Sequence, residues 1–485
     1  MNSSYDLVII GAGPAGTAAA VTAAGHGLSV LLLDEARPGG TSVYAHPDPW
    51  MEAASGPRFG GADGGAPLAA ELGRCGADLA YECYVWHVAK LPAGEVSAPV
   101  YEISTLGSQG REKIHGRALV IATGARERFY PRPGWTLPGV FGLGAATVML
   151  QSRVLPGSHV VVVGPGTMAQ SVATQIKDCG GEVVAHVDPS SRRRWVEAAS
   201  RLAQRVGFPA RRRAGSAGAA ARDAPRYHGW DVAAINGASA VESVTLQRVD
   251  EKWRPLARHK ARTISADALC IGYGLAPAAE VYQLLGARLR YAPTLGGWTP
   301  VVDRSQRTDV SRLYGAGDSA GVLGAPAAYN TGRMAALSAA FDLGRLDRAS
   351  YEREMRAAHR VQARAARAAS ALADLTRPRS SAMAWVPDAT IACRCESITA
   401  GELRRAIGEG AREINALKAA TRCGMGPCGG RTCEEGAAAL LECARYSRER
   451  IGKLTARAPL RPLPLTALTG TFAYSDIPFP QAADT

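Results

Sequence analysis

Hydrophobic residues along the chain fall into strand-length blocks separated by glycine loops and alanine-rich stretches of helical composition. The first block, Tyr5–Ile10, runs directly into Gly11-Ala12-Gly13-Pro14-Ala15-Gly16. Thr17–Ala24 follows as a predicted helix, and Leu28–Leu33 as a second strand ending at Asp34-Glu35. The order repeats from His159: Val160–Val163, then Gly164-Pro165-Gly166-Thr167-Met168-Ala169, a helix, and Glu182–Val187 ending at Asp188. Strand, glycine loop, helix and strand in that order predict a parallel βαβ unit, so the chain holds two units of one fold type. Between and after them lie strands at Ala118–Ala122, Val241–Val249 and Ala268–Ile271, a run from Arg312 to Asp318, and a helix near Arg333–Phe341. Arg348–Ala373 has helical spacing, and Pro378 and Pro387 bracket a linker. The pattern divides the chain into a discontinuous first domain (1–142 with 263–347), a second nucleotide-binding domain (143–262) and a helical linker (348–388). A cysteine-bearing module (389–455) and a proline-rich tail (456–485) complete it.

Length and charge narrow the choices. A chain of 485 residues is too long for one ordinary core. No apolar run approaches the roughly 18 residues of a membrane helix, and a strand starting near Tyr5 leaves no room for a secretory leader. The expected location is cytoplasmic, with peripheral membrane association left open. The formal charge of +13 lies largely in runs such as Arg192–Arg194 and Arg211–Arg213. No aromatic-interleaved or helix-turn-helix pattern accompanies them. A solvated basic surface is expected, and no nucleic-acid partner.

The loop Gly11–Gly16 is G-x-G-x-x-G. Gly11 permits the turn, Gly13 lets a pyrophosphate reach the backbone, and Gly16 lets helix pack on strand. Pro14 and Ala15 belong to the loop and are counted with it as cofactor-binding, and the N-terminus of the helix that follows favours phosphate. Asp34, with Glu35 as its neighbouring alternative, stands where a carboxylate accepts ribose hydroxyls. Arg37-Pro38-Gly39-Gly40, the strand end Ala122-Thr123-Gly124, and Gly315-Ala316-Gly317-Asp318 follow. Together these resemble the two-dinucleotide-domain flavoprotein disulfide-reductase superfold over about residues 5–345. That resemblance implies FAD in the first domain, with Thr123 and Gly124 closing the fold and Asp318 on the ribityl chain.

In the second unit Gly164-x-Gly166-x-x-Ala169 is a relaxed fingerprint, and Asp188 favours an unphosphorylated ribose. NAD, ADP or ATP are the ligands weighed there, beside a retained scaffold with none. No C-x-x-C or C-x-x-x-x-C pair precedes residue 393, which excludes dithiol chemistry. Cys75, Cys83, Cys179 and Cys270 are therefore read as small hydrophobes.

Six of the ten cysteines fall between Cys393 and Cys443. Cys393-Arg394-Cys395 and, after 27 intervening residues, the Cys423–Cys428 loop supply four thiolates, enough for a [2Fe–2S] cluster. Zinc is the rival metal. Thr399-Ala400-Gly401-Glu402 is a capping box that opens the helix between the pairs. Cys433 is a substitute ligand read as packing beneath the cluster, and Cys443 is read as core. Lys418–Cys433 resembles the bacterioferritin-associated-ferredoxin-like [2Fe–2S] domain.

Gly134-Trp135-Thr136-Leu137-Pro138-Gly139-Val140 and the tail Arg457–Leu465 resemble the larger subunits of heteromeric amino- and imino-acid dehydrogenases. That group includes opine oxidase A, hydroxyproline dehydrogenase and hydrogen cyanide synthase B subunits. The group usually continues its Gly-Gly with Gln-Ile-Tyr, where this chain has Thr41-Ser42-Val43-Tyr44 after Gly39-Gly40. The resemblance implies a partner subunit of the D-amino-acid-oxidase type with its own FAD, and a small ferredoxin-like subunit. The expected architecture is α/β: two Rossmann-like domains of the disulfide-reductase type plus a small helical [2Fe–2S] domain. The expected function is electron transfer in oxidation of a C–N bond of an amino acid, imino acid or opine. A stand-alone NADH-dependent reductase and a non-enzymatic iron–sulfur module are the alternatives. No catalytic residue is assigned.

Overall fold

The computed structural model describes residues 3–37, 65–92, 100–107, 110–206 and 224–467. Gly39, Gly40 and Arg211–Arg213 lie outside these described residues.

The first sheet has seven strands. Strand β1 (Ser4–Ile10) lies parallel between β2 (Val30–Leu33) and β6 (Gly110–Ile121). Outside β2 sits β3 (Asp78–Ala80); β5 (Tyr101–Gly107) pairs antiparallel with the first half of β6, and β4 (Tyr84–Lys90) with β5. A late strand, Leu313–Gly315, joins β6 in parallel. The register sets Ile10 opposite Leu33 and Ile121, and Ile121 opposite Gly315. Gly11, Asp34, Ala122 and Ala316 therefore leave the sheet at one edge. The four residues of β2 are all buried, as in a parallel sheet covered on both faces.

The second sheet has five parallel strands, among them β7 (His159–Val163), β8 (Glu182–Asp188), β9 (Arg226–His228) and β10 (Ala268–Ile271). Helix α2 (Thr167–Asp178) follows β7, and α3 (Arg192–Val206) follows β8. A three-stranded antiparallel meander spans 230–265, where the alternation of Val241–Val249 revealed only one strand.

The first helix, α1, runs Pro14–Gly25, three residues earlier than composition suggested, because Pro14 suits the first helical position. It packs on α4 (Ala325–Asp342) through small residues: a Cβ on Gly332 would stand 1.9 Å from the Ala15 carbonyl oxygen. Helix α5 (Arg348–Thr376) is capped by Asp347, whose carboxylate accepts the Ser350 N–H at 3.0 Å. The cysteine module holds α6 (Ala400–Gly408), α7 (Ile414–Thr421) and α8 (Glu434–Cys443). Its capping box is formed, with Thr399 Oγ1 accepting from Glu402 N at 3.2 Å and Glu402 Oε2 from Thr399 N at 2.8 Å.

One apolar core runs from the second sheet (Val161, Val163, Val187) through the linker (Met383) into the cysteine module (Leu403, Leu417, Leu441). The segment from Arg126 to Trp135 fastens the module to both units. Arg126 pairs with Glu280 and Glu434. Arg128, fully buried, meets Glu435 at 3.3 Å, and Glu435 also meets Arg448 at 3.1 Å. Arg132, equally buried, reaches Asp231 of the meander at 2.6 Å and donates to the Ala382 carbonyl at 3.0 Å. Trp135 Nε1 donates to Ile391 O at 2.7 Å, just ahead of Cys393. The segment Gly134–Val140, a family marker in the sequence, is thus a mounting strip. Gly134 (φ +79°) has no room for a Cβ, which would fall 2.0 Å from Ile235 O.

The tail Arg457–Leu465 lies on the chain's own first domain. Leu460 N donates to Trp86 O at 2.7 Å and Arg461 to Glu35 at 2.6 Å. Cys443, expected in the core, is exposed at the end of α8, its thiol 3.3 Å from Ser380 O.

Burial alone would raise the Glu435 carboxyl, but Arg448, Arg128 and Arg126 outweigh it and hold it at about 2. Glu280 is brought to about 2 in the same way, by Lys453 and Arg126. Both values lie below the ordinary 4.5, so their stabilisation is complete above that pH and is lost as pH falls toward 2. Arg128→Met is expected to destabilise the docked module by about 3–5 kcal/mol, because it strands a buried partner. It should also move acid unfolding to higher pH, both effects being read by denaturant and acid titrations.

Candidate functional sites

The first cradle is built by the level strand ends. Gly11 turns at φ +108°, where a Cβ would fall 2.3 Å from Ala122 O, and a Cβ on Gly16 would fall 1.7 Å from Gly11 O. Both positions demand glycine for packing. Gly13 differs: its φ is ordinary and nothing lies within 4 Å of its would-be Cβ. That open space faces the N-terminus of α1, which Pro14 begins, and is where a pyrophosphate fits. Asp34 Oδ2 accepts from Ala12 N at 2.5 Å and Oδ1 from Ala36 N at 2.8 Å, fixing the carboxylate beside the loop; burial raises its pKa. Glu35 is instead engaged by Arg461. Thr123 Oγ1 donates to Ala278 O at 3.0 Å, and Gly124 takes φ +69°.

Gly317 (φ +67°) donates its N–H to Thr331 Oγ1 at 2.9 Å, and a Cβ on it would press Ala15 at 2.8 Å. Asp318 Oδ1 accepts from Leu323 N at 3.1 Å and Gly324 N at 3.2 Å, at the N-terminus of α4, and burial raises its pKa. Both bonds fall on Oδ1, leaving Oδ2 for a ligand hydroxyl. Two helix N-termini, an open glycine and two fixed carboxyls along one edge suit a dinucleotide such as FAD.

The second loop has a different setting. Gly164 (φ +157°) needs to be glycine against Gly272 O, 2.4 Å from its would-be Cβ. At Gly166 (φ +88°) the would-be Cβ lies 2.7 Å from Thr376 Cγ2. Asp188 is only 2% exposed, and its oxygens accept from Ser190 N at 2.7 Å and Trp195 Nε1 at 2.6 Å. Burial pushes its pKa up to about 7.

In the cysteine module the thiols of Cys393, Cys423 and Cys433 lie within 4.8 Å of one another, all buried. Cys395 and Cys428 neighbour each other on the outer side, where Cys395 is exposed. Two of the four sequence candidates, Cys393 and Cys423, thus meet Cys433, while the other two, Cys395 and Cys428, form a pair beside them, so Cys433 joins the set. The repeated spacing Cys423-x4-Cys428-x4-Cys433 carried that signal. Gly426 lets the two loops touch, since a Cβ there would fall 2.2 Å from Cys395 Cβ. Backbone N–H groups of Gly424 and Glu396 point at Cys393, and those of Thr432 and Gly430 at Cys428, as cluster sulfurs require. Soft thiolates in this number fit a [2Fe–2S] unit.

Residues 5–344 match the pyridine nucleotide-disulphide oxidoreductase family, and residues 391–443 match the BFD-like [2Fe-2S] binding domain. The two matches define a flavoprotein oxidoreductase with an FAD-binding domain and an attached [2Fe–2S] domain. The chain is 33% identical over 501 residues to the opine oxidase A subunit of Agrobacterium tumefaciens (strain Ach5), covering 96% of this chain and 92% of that one. It is 30% identical over 465 residues to hydrogen cyanide synthase subunit HcnB of Pseudomonas aeruginosa, covering 95% and 97%. It belongs to the family of FAD- and [2Fe–2S]-bearing oxidoreductase subunits that includes the opine oxidase A subunit. Among solved structures, L-proline dehydrogenase from P. horikoshii superposes with a TM-score of 0.67 at 19% identity, over 96% of this chain and 80% of that chain. Thioredoxin reductase from T. acidophilum does so at 0.52 and 22%, over 70% and 99%. Both show the shared fold. Among the described residues no helix is long and apolar enough to cross a membrane.

Gly13→Val fills the open space of the first loop, and Asp318→Ala removes a hydroxyl acceptor. Both variants should purify with markedly less flavin, read from the visible spectrum. Serine placed at each of the five cysteines in turn should abolish the reduced-state paramagnetic signal at Cys393, Cys395, Cys423 and Cys428 and retain it at Cys433. Iron and acid-labile sulfide per chain provide the check.

Proposed function

We propose that this chain is the electron-transfer subunit of a heteromeric dehydrogenase that oxidises a C–N bond of an amino acid, imino acid or opine. What carries the reading is the union, on one chain, of an open dinucleotide cradle and a converging thiol set, in a family whose relatives are subunits of opine oxidase and hydrogen cyanide synthase. Bound FAD would supply the passage from two-electron to one-electron chemistry. The chain's own part is to hold it: Gly13 admits the pyrophosphate, Asp34 the ribose and Asp318 the ribityl hydroxyls. Cys393, Cys395, Cys423 and Cys428 would hold the cluster, with Cys395 and Cys428 on the side open to an acceptor. Substrate oxidation belongs to a partner flavoprotein of the D-amino-acid-oxidase type, and a small ferredoxin-like subunit completes the assembly. The complex would work in the cytoplasm.

The isolated chain should show no turnover of proline, hydroxyproline, glycine or opines in a dye-reduction assay. Adding the partner encoded beside it should restore turnover of one of them. Robust turnover by the chain alone, freed of other subunits, would sink the subunit reading.

A further inference from the structure

The two dinucleotide loops of this chain share a backbone plan but not an environment. Over Gly13 there is open space; over Gly166 stands Thr376, the last residue of α5, its Cγ2 2.7 Å from where a Cβ would be. The second glycine of such a loop exists so that a pyrophosphate can touch the backbone. Here a side chain of the same polypeptide takes that place. The Thr376 carbonyl also lies over Gly274, 3.2 Å from its would-be Cβ.

The intruding segment is held from several sides. Ser190 Oγ donates to Leu375 O at 3.4 Å, and Leu375 itself is 1% exposed. Asp374 receives Arg194 at 2.8 Å and Arg379 at 3.3 Å. One turn earlier, Arg205 donates to Ser370 Oγ at 2.6 Å, so α5 is fastened along α3. The residue that would take the ribose is shut away as well: Asp188 is 2% exposed, and its Oδ2 faces the Trp195 indole N–H at 2.6 Å.

From this we infer that the second nucleotide-binding unit is closed by Leu375–Thr376 and takes no pyridine dinucleotide, having become the seat of the cysteine module. Its sheet shares one continuous core with that module. The inference deepens the reading of the chain as an electron-transfer subunit and rests on it for one consequence. The two electrons that reduce this chain's flavin come from a protein-borne carrier, itself reoxidised by two electrons, and not from NADH or NADPH.

The test uses the full-length protein with FAD and cluster in place, under anaerobic conditions. NADH or NADPH in excess should neither bleach the flavin nor give saturable heat in calorimetry, and dithionite should bleach it fully. Amide exchange at Gly164–Ala169 should be slow and unchanged by NADH. In the Leu375→Gly/Thr376→Gly variant, with normal flavin and iron content, the same amides should exchange faster and NADH should give saturable heat. Saturable NADH binding to the wild-type protein would overturn the inference. So would a folded double variant as silent as the wild type, since Leu375 and Thr376 would then not be what closes the loop. Loss of the subunit reading is separately visible, as failure of every partner to restore turnover while NADH still fails to bind.

Discussion

The buried pairing of Arg126 and Arg128 with Glu434 and Glu435 is the constraint on which the arrangement of the two redox domains rests. Two adjacent carboxylates at the start of α8 would be intolerable in an apolar core without matched cations and hydrogen bonds. The cations come from the short strand Ala125–Glu127 that directly follows Thr123-Gly124 of the first cradle and from the residue just after it, while α8 begins one residue after Cys433. A single ion cluster therefore ties the edge of the flavin cradle to the sulfur loop. Arg448 and Lys453 complete the charge balance, with Lys453 3.2 Å from Glu434. Such a pairing specifies one geometry more than it adds net stability. For electron transfer, a fixed geometry is the useful outcome.

Arg132 extends the same logic to the second unit. Its guanidinium meets Asp231 and stacks 4.6 Å over Trp385, while the Tyr273 hydroxyl donates to Asp231 at 2.6 Å. Three parts of the chain meet at one buried cation. Arg132 thereby ties the antiparallel meander of the second unit to the segment that leads into the cysteine module.

Features that depend on local backbone demands were readable from the sequence. Gly11, Gly13 and Gly16, the strand-end acids Asp34 and Asp318, and the capping box at Thr399 each need a residue type at a short, fixed offset, and the structure puts them there. Features made by long-range packing were not. Nothing in the sequence marks Glu434 and Glu435 as buried, since Arg126 and Arg128 lie some 300 positions away in the chain. Thr376 carries no signal at all, because what it blocks is set by how α5 docks. Asp188 matched the fingerprint and yet turns inward, because Trp195, in the first turn of α3, has an indole N–H to satisfy. Cys443 looked apolar by company, but it closes the last turn of α8, where the helix leaves the core.

The strap Leu460–Arg461 also bears on how the protein is made. Arg431 Nη2 donates to Leu460 O at 2.8 Å and its Nη1 to Cys428 O at 3.1 Å, while Arg461 reaches Glu35, next to Asp34. During synthesis the first βαβ unit emerges early, but Asp318 appears only after the second unit, and the strap after every cysteine of the sulfur loop. Domains generally fold as units in the order they leave the ribosome. This cradle cannot follow that order: its glycine loop must wait for most of the polypeptide before the walls around it are complete. Cofactor loading is thus a late event in biogenesis, and a nascent or truncated chain would expose a half-built nucleotide cleft to the cell's quality-control machinery.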